Sequence, residues 1–326
     1  MKFRNAAARA VNRPDDESSL PAAARRRQLV RLAGLSVSLV LLVGAAWFVI
    51  SQREEMGTAL SHLRDPNLCT LSLFVAAVLG NLVLTGLLFS LLMARSGRVG
   101  LLEMQALMAT STLLNYLPLR PGLFGRVAYH KLVNNIEVRH TARVIVTAIA
   151  LSILAAGVTC LTVAFVAITG AGPLIVLGAV AVVGVAGCVL PALRTLSLAF
   201  LLRMCDVMVW SVRYLLVFSL VGHPIGFETA VALAAVSMVS TMVPFLSNGL
   251  GLREWAIGLA APLLAREFSS AADAGSFVDT PIAIAADLVN RGLELVVIAI
   301  TGSVGALALG PRVRAVRHAQ QSEMQV

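Results

Sequence analysis

Six stretches of the chain stay apolar for long enough to cross a bilayer, at about 32–50, 68–94, 142–169, 173–193, 204–222 and 281–309. With a helical rise of about 1.5 Å per residue, each reaches the roughly 30 Å of hydrocarbon that a spanning helix must cover. The apolar residues run on continuously and do not alternate, which excludes a membrane β-barrel. The pattern predicts an all-α polytopic membrane protein.

Two further apolar segments, 103–118 and 228–246, are interrupted. The first runs into NYLPLRPGLFGR (115–126) and the second into TMVPFLSNGLGLRE (241–254). Each meets a proline, Pro118 or Pro244, carries Ser, Thr or Asn in its last turns, and passes into glycines and an arginine. Backbone that leaves the helix at membrane depth must lie in protein or face a water-filled cavity, because lipid cannot satisfy its N–H and C=O groups. The economical reading is six full spans plus two re-entrant half-helix segments.

The two breaks match. Glu103 precedes Pro118 by 15 residues and Glu228 precedes Pro244 by 16. Gly122 to Arg126 and Gly249 to Arg253 are both four apart. Three spans separate the units, an odd number, so the units enter from opposite faces. That is an inverted repeat, with units at about 101–169 and 226–309, and broken helices of this kind build midplane substrate sites in transporters.

Charge placement fits this topology. With the N-terminus in the cytoplasm, 20 basic residues fall in cytoplasmic segments and four (Arg53, Arg64, Arg253, Arg266) outside, as the positive-inside rule requires. The division is then a basic cytoplasmic tail at 1–31, expected to be disordered, a membrane domain at 32–310, and a short cytoplasmic tail at 311–326. The RRQLV near the N-terminus resembles an export signal, but the apolar run after it is long enough to be a retained span.

Composition sharpens the picture. The chain is 58% hydrophobic and 13% charged, against roughly 45–50% and about 25% in soluble domains. The net charge of +9 is accounted for by cytoplasmic loops on anionic lipid, and no nucleic-acid motif accompanies it. A composition rich in arginine and alanine and poor in lysine goes with a GC-rich bacterial genome, and the expected location is a bacterial inner membrane with both termini cytoplasmic. Cys69, Cys160, Cys188 and Cys205 form no metal-binding spacing, so neither a metal nor a cofactor is expected.

The chemistry is expected at the breaks. A glycine turn, a helix N-terminus and an arginine together cradle an anion, which nominates Arg120, Gly122 and Arg126 on one side and Asn248, Gly249, Gly251, Arg253 and Glu254 on the other. Ionisable residues inside spans default to function. Asp287, Arg291 and Glu294 lie on one face of the last span, and Arg203, Asp206, Trp210 and Arg213 on one face of the fifth. The bland alternative pairs Asp287 with Arg291, and Asp206 with Arg203 or Arg213, and makes both stripes structural. No catalytic constellation is visible.

At these residues the chain resembles the flippase-like transmembrane family typified by the N-terminal membrane region of lysylphosphatidylglycerol synthase. Pro118, Arg120, Gly122 and Arg126 match its first motif, with Leu123 where an acid is usual; Pro244, Gly249, Gly251, Arg253 and Glu254 match the second, and Arg291 its last-span arginine. The span after the first motif, ARVIVTAIALS, lacks the acids that many members carry there. The resemblance covers about 30–310 and implies translocation of an anionic phospholipid or a polyprenyl-phosphate-linked lipid. It implies no aminoacylation, since no transferase domain follows the last span. The alternatives are a non-transporting accessory or scaffold subunit of a membrane enzyme, and a membrane-embedded transferase.

Overall fold

The computed structural model describes residues 43, 67–94, 97, 99–117, 120–170, 172–241, 249, 251–268 and 278–323. Apart from Val43, the expected first span lies outside the described residues, as do the N-terminal tail, Pro118, Pro244 and Asn248. Nine helices and no strand occur among the described residues. They are α1 Leu68–Met93, α2 Leu101–Leu114, α3 Pro121–Leu132, α4 Val138–Thr169, α5 Pro173–Val189, α6 Arg194–Leu220, α7 Phe227–Thr241, α8 Leu252–Phe268 and α9 Thr280–Glu323.

Local chemistry sets the ends. The Asn67 side chain caps α1 by accepting the Cys69 N–H at 2.9 Å. Pro121 and Pro173 open α3 and α5, where a missing N–H costs nothing. Gly170, at φ 67°, closes α4 with its N–H on the Val166 carbonyl. Inside the helices Ser152, Thr159 and Thr301 turn their hydroxyls onto carbonyls one turn back, so each polar group is satisfied without water.

Among the described residues, four helices are long and apolar enough to cross a membrane: α1, α4, α6 and the Thr280–Val316 part of α9. The half-helices α2 and α7 have 14 and 15 residues, about 21–23 Å, short of the roughly 30 Å needed. The helix α5, at 17 residues, reaches about 25 Å, the short end of the range for a spanning helix. Two long helices overrun the apolar pattern. Helix α6 begins at Arg194, ten residues before the apolar run at 204, and α9 continues past Pro311 to Glu323. The overrun of α9 is held to α2: Arg312 pairs with Glu103, whose other oxygen accepts the Tyr129 hydroxyl at 3.0 Å.

The core divides in two. One cluster gathers Phe74, Val207, Tyr214, Phe218, Leu233 and Ile257 from α1, α6, α7 and α8. The other gathers Leu88, Phe89, Met104, Met108, Tyr129 and Val144 from α1 to α4. The packing is also crossed: α2 lies on α9, and α7 lies on α4, while α3 joins α2 to α4 and α8 joins α7 to α9.

The α2–α9 contact depends on Gly302 and Gly305. A Cβ at Gly302 would stand 2.7 Å from the Leu113 Cβ, and one at Gly305 would stand 2.6 Å from the Ala106 carbonyl oxygen. Small residues let membrane helices approach this closely, and Thr110 uses the approach to donate to the Gly302 carbonyl at 3.2 Å. Gly305→Val should therefore overpack the contact at a cost of ~1–3 kcal/mol and lower the thermal midpoint of the purified protein. Gly157→Ala on α4, with open space around it, is the control, and an equal loss there would remove the close-approach explanation.

Candidate functional site

The charged side chains of α6, α8 and α9 meet inside the bundle and neutralise one another. Asp287 receives the Arg253 Nε at 2.9 Å, the Tyr214 hydroxyl at 3.1 Å and the Asn290 amide at 3.2 Å. Glu294 receives Arg213 at 2.8 Å and lies 3.6 Å from the Arg253 Nη1. Glu254 receives the Arg291 Nε at 3.1 Å, and Asp206 receives Arg203 at 2.7 Å. Four cations thus face four anions. Asn81 on α1 ties the ends together, donating to Asp206 at 2.7 Å and accepting from Arg213 at 3.4 Å. The Trp210 ring lies under the Arg213 guanidinium at 3.9 Å, an electrostatic attraction to the ring face that strengthens where water is excluded.

Both expected stripes therefore point into the bundle and are closed by ion pairs. The partner of Asp287 is Arg253, from the second break, and Arg291 goes to Glu254. The reason is reach: consecutive turns of α9 present Asp287 and Arg291 to α8, whose first turn carries both Arg253 and Glu254. Gly249 and Gly251 stand just before that turn at φ 72° and 82°, a left-handed backbone that glycine adopts without strain. Neither Arg253 nor Arg291 lines the cavity described next.

The first break is built differently. Gly122 packs against the end of α2, where a Cβ would run into the Ser111 carbonyl. The contact brings Arg126 to Ser111, whose Oγ accepts from Nε at 2.8 Å, and lays the guanidinium 4.8 Å from the Phe89 ring centroid. Arg126 is 6% exposed, and no carboxylate pairs with it among the described residues. The adjacent His130 is buried, and burial lowers its pKa against the upward pull of Glu103, with the Arg126 charge adding to the downward push.

Arg126 lines a cavity of about 680 Å³. Its wall takes in Arg120 and Leu123 from the first break, Thr241 from the end of α7, Asp206, Trp210 and Arg213 from α6, and Glu294 from α9. The two breaks meet at its edge, where Arg120, at φ 50°, donates to the Thr241 carbonyl at 2.8 Å. A buried arginine on a half-apolar cavity is equipped to hold an anion. The carboxylates that line it, Asp206 and Glu294, are each ion-paired and are poorly placed to serve as a base.

Of the residues nominated from the sequence, Arg120, Arg126 and Glu294 line the cavity, and Gly122 seats α3 beside it. Arg253, Glu254, Asp287 and Arg291 belong to the charge cluster. Asn81, Asn290, Tyr214 and Ser111 were missed. A single asparagine inside an apolar run was the available signal for Asn81, since such residues in spans find polar partners. No group of His, Cys, Asp or Glu able to hold a metal ion occurs among the described residues. Neither a family model, nor a curated protein, nor a solved structure matches this chain.

Breaking a buried ion pair from one side leaves an uncompensated charge and costs roughly 3–5 kcal/mol, whereas replacing both partners by apolar residues is often neutral. Asp287→Leu alone should sharply lower the thermal midpoint. Adding Arg253→Met should recover most of the loss. A double variant as unstable as the sum of the single ones would show that Arg253 and Asp287 are not coupled.

Proposed function

We propose that the chain moves an anionic phospholipid or a lipid-linked phosphate headgroup across the inner membrane of a bacterium, through the cavity between its two breaks. The observation that carries this is the contrast between Arg126 and Arg253. The two arginines occupy corresponding places after their breaks, and both are buried. Arg253 has two carboxylates near it, while Arg126 has a hydroxyl, a ring face and the cavity. A phosphate entering the cavity supplies the missing counter-charge as a charge-assisted, two-pronged hydrogen bond.

The crossed packing supports the inverted repeat. Each half-helix leans on the last long helix of the other unit, α2 on α9 and α7 on α4, as a two-fold axis in the membrane plane demands. The motif likeness to the flippase-like family supports the same function. In this reading α2 and α7 are re-entrant, six helices cross, and both termini are cytoplasmic. The closed ion pairs favour a second reading, in which the chain is an accessory subunit and the charge cluster is only structural.

Transport separates the two. Reconstituted protein should flip a fluorescent anionic phospholipid, and Arg126→Gln should slow it by about tenfold or more, because a hydrogen bond to a charged group contributes roughly 1.5–3 kcal/mol. Arg126→Lys should retain part of the rate. Flipping that is absent in the wild type, or unchanged in Arg126→Gln, refutes the transport reading. Topology has its own test. Leu123→Cys and Leu250→Cys should react with a membrane-impermeant thiol reagent from opposite faces, and labelling of both from one face ends the inverted repeat.

A further inference from the structure

The cavity wall has two residues that are also outer surface. Among the residues lining it, Phe124 on α3 is 69% exposed and Ile149 on α4 is 47% exposed, while the polar lining residues are buried or half-buried. Ile149 belongs to an outward stripe with Val146 and Ile153, three and four residues away on the same face of α4. Its neighbours Ile145, Ala148 and Ser152 turn to the cavity. The cavity therefore reaches exposed apolar side chains on α3 and α4, two helices that pack on one another. At about 680 Å³ it falls within the roughly 300–1,000 Å³ of ordinary small-ligand sites, room for a phosphate-bearing headgroup but not for long chains as well.

We infer that the site takes its ligand by the headgroup alone, and that the hydrocarbon chain leaves sideways between Phe124 and Ile149 and stays in the membrane. The inference rests on the anion-binding reading of Arg126 and adds where the chain of that lipid lies, a chain that a free phosphate ester does not have. Phe124 and Ile149 form the chain subsite. A chain held in this opening never meets water, so the apolar contact is kept while the phosphate exchanges solvent for Arg126. A soluble phosphate ester uses the same arginine but gains nothing from the opening.

Full-length protein in lipid nanodiscs tests this with two probes that share a phosphate monoester, long-chain phosphatidic acid and glycerol 3-phosphate. The expected result is tighter binding of the lipid, a loss of about tenfold for the lipid in Phe124→Asp or Ile149→Asp, which is ~1.4 kcal/mol, and unchanged binding of glycerol 3-phosphate. Phe124→Ala and Ile149→Ala, which add no charge, should move the lipid in the same direction by less, and they stand in if an aspartate variant fails to fold. Equal affinity for the two probes, or equal losses for both in the variants, overturns the lateral opening and leaves the anion reading intact. If Arg126→Gln weakens neither probe, the anion reading itself fails, and the inference with it.

Discussion

The Arg253–Asp287 pair, 2.9 Å apart and wholly enclosed, is the contact on which the interior depends. A charge in an apolar interior must be matched, because the cost of removing it from water is repaid only by a close partner with its remaining hydrogen bonds made. The close partner alone, since among the described residues neither Arg253 Nη atom makes a hydrogen bond, fixes three helices at once. The pair joins α8 to α9, and Tyr214 on the same carboxylate brings in α6. Arg213 then bridges to Glu294 and Asn290, and Asn81 passes the constraint to α1. The rotation of each helix about its axis is set by which residue it offers to this cluster.

The same demand explains why the second break does not form an open cradle. Its glycines adopt the left-handed turn expected of them, and its arginine follows at the expected spacing. That arginine is then consumed by the protein's own carboxylates, as is Arg291 by Glu254. An anion would have to displace Asp287 or Glu294 to reach Arg253, exchanging one buried ion pair for another at little gain. Arg126 meets no such competitor. Of the two arginines, Arg126 accordingly lines the cavity and Arg253 does not.

Much of this was legible in the sequence, for identifiable reasons. Spans 68–94 and 142–169 were readable because an unbroken apolar run has one stable form in lipid, and the observed α1 and α4 reproduce them nearly to the residue. The starts and ends of polar overruns were not: Arg194 to Arg203 and Arg312 to Glu323 carry no apolar pattern, and α9 extends because Arg312 finds Glu103 across 209 positions. The charged stripes were visible as helical spacing. Their pairing was not, since spacing within one helix says nothing about which neighbour arrives opposite. The within-helix partner for Asp287 is Arg291, yet tertiary packing delivers Arg253. Arg126 was legible as a candidate through its spacing, but that no carboxylate pairs with it among the described residues is a fact of tertiary packing, and α4 contributes Ile145, Ala148 and Ser152 to the wall of the same cavity.

That last point turns on Leu123. An acid at 123 would stand three residues before the arginine. Such an acid would sit within one turn of Arg126, close enough to neutralise it, and the first break would then be as self-contained as the second. Leucine at 123 lines the same cavity and brings no charge. The buried guanidinium keeps the Ser111 hydroxyl and the Phe89 ring, which are favourable contacts but do not cancel a full positive charge. With leucine at 123, no carboxylate among the described residues pairs with that charge, in contrast to Arg253 after the second break.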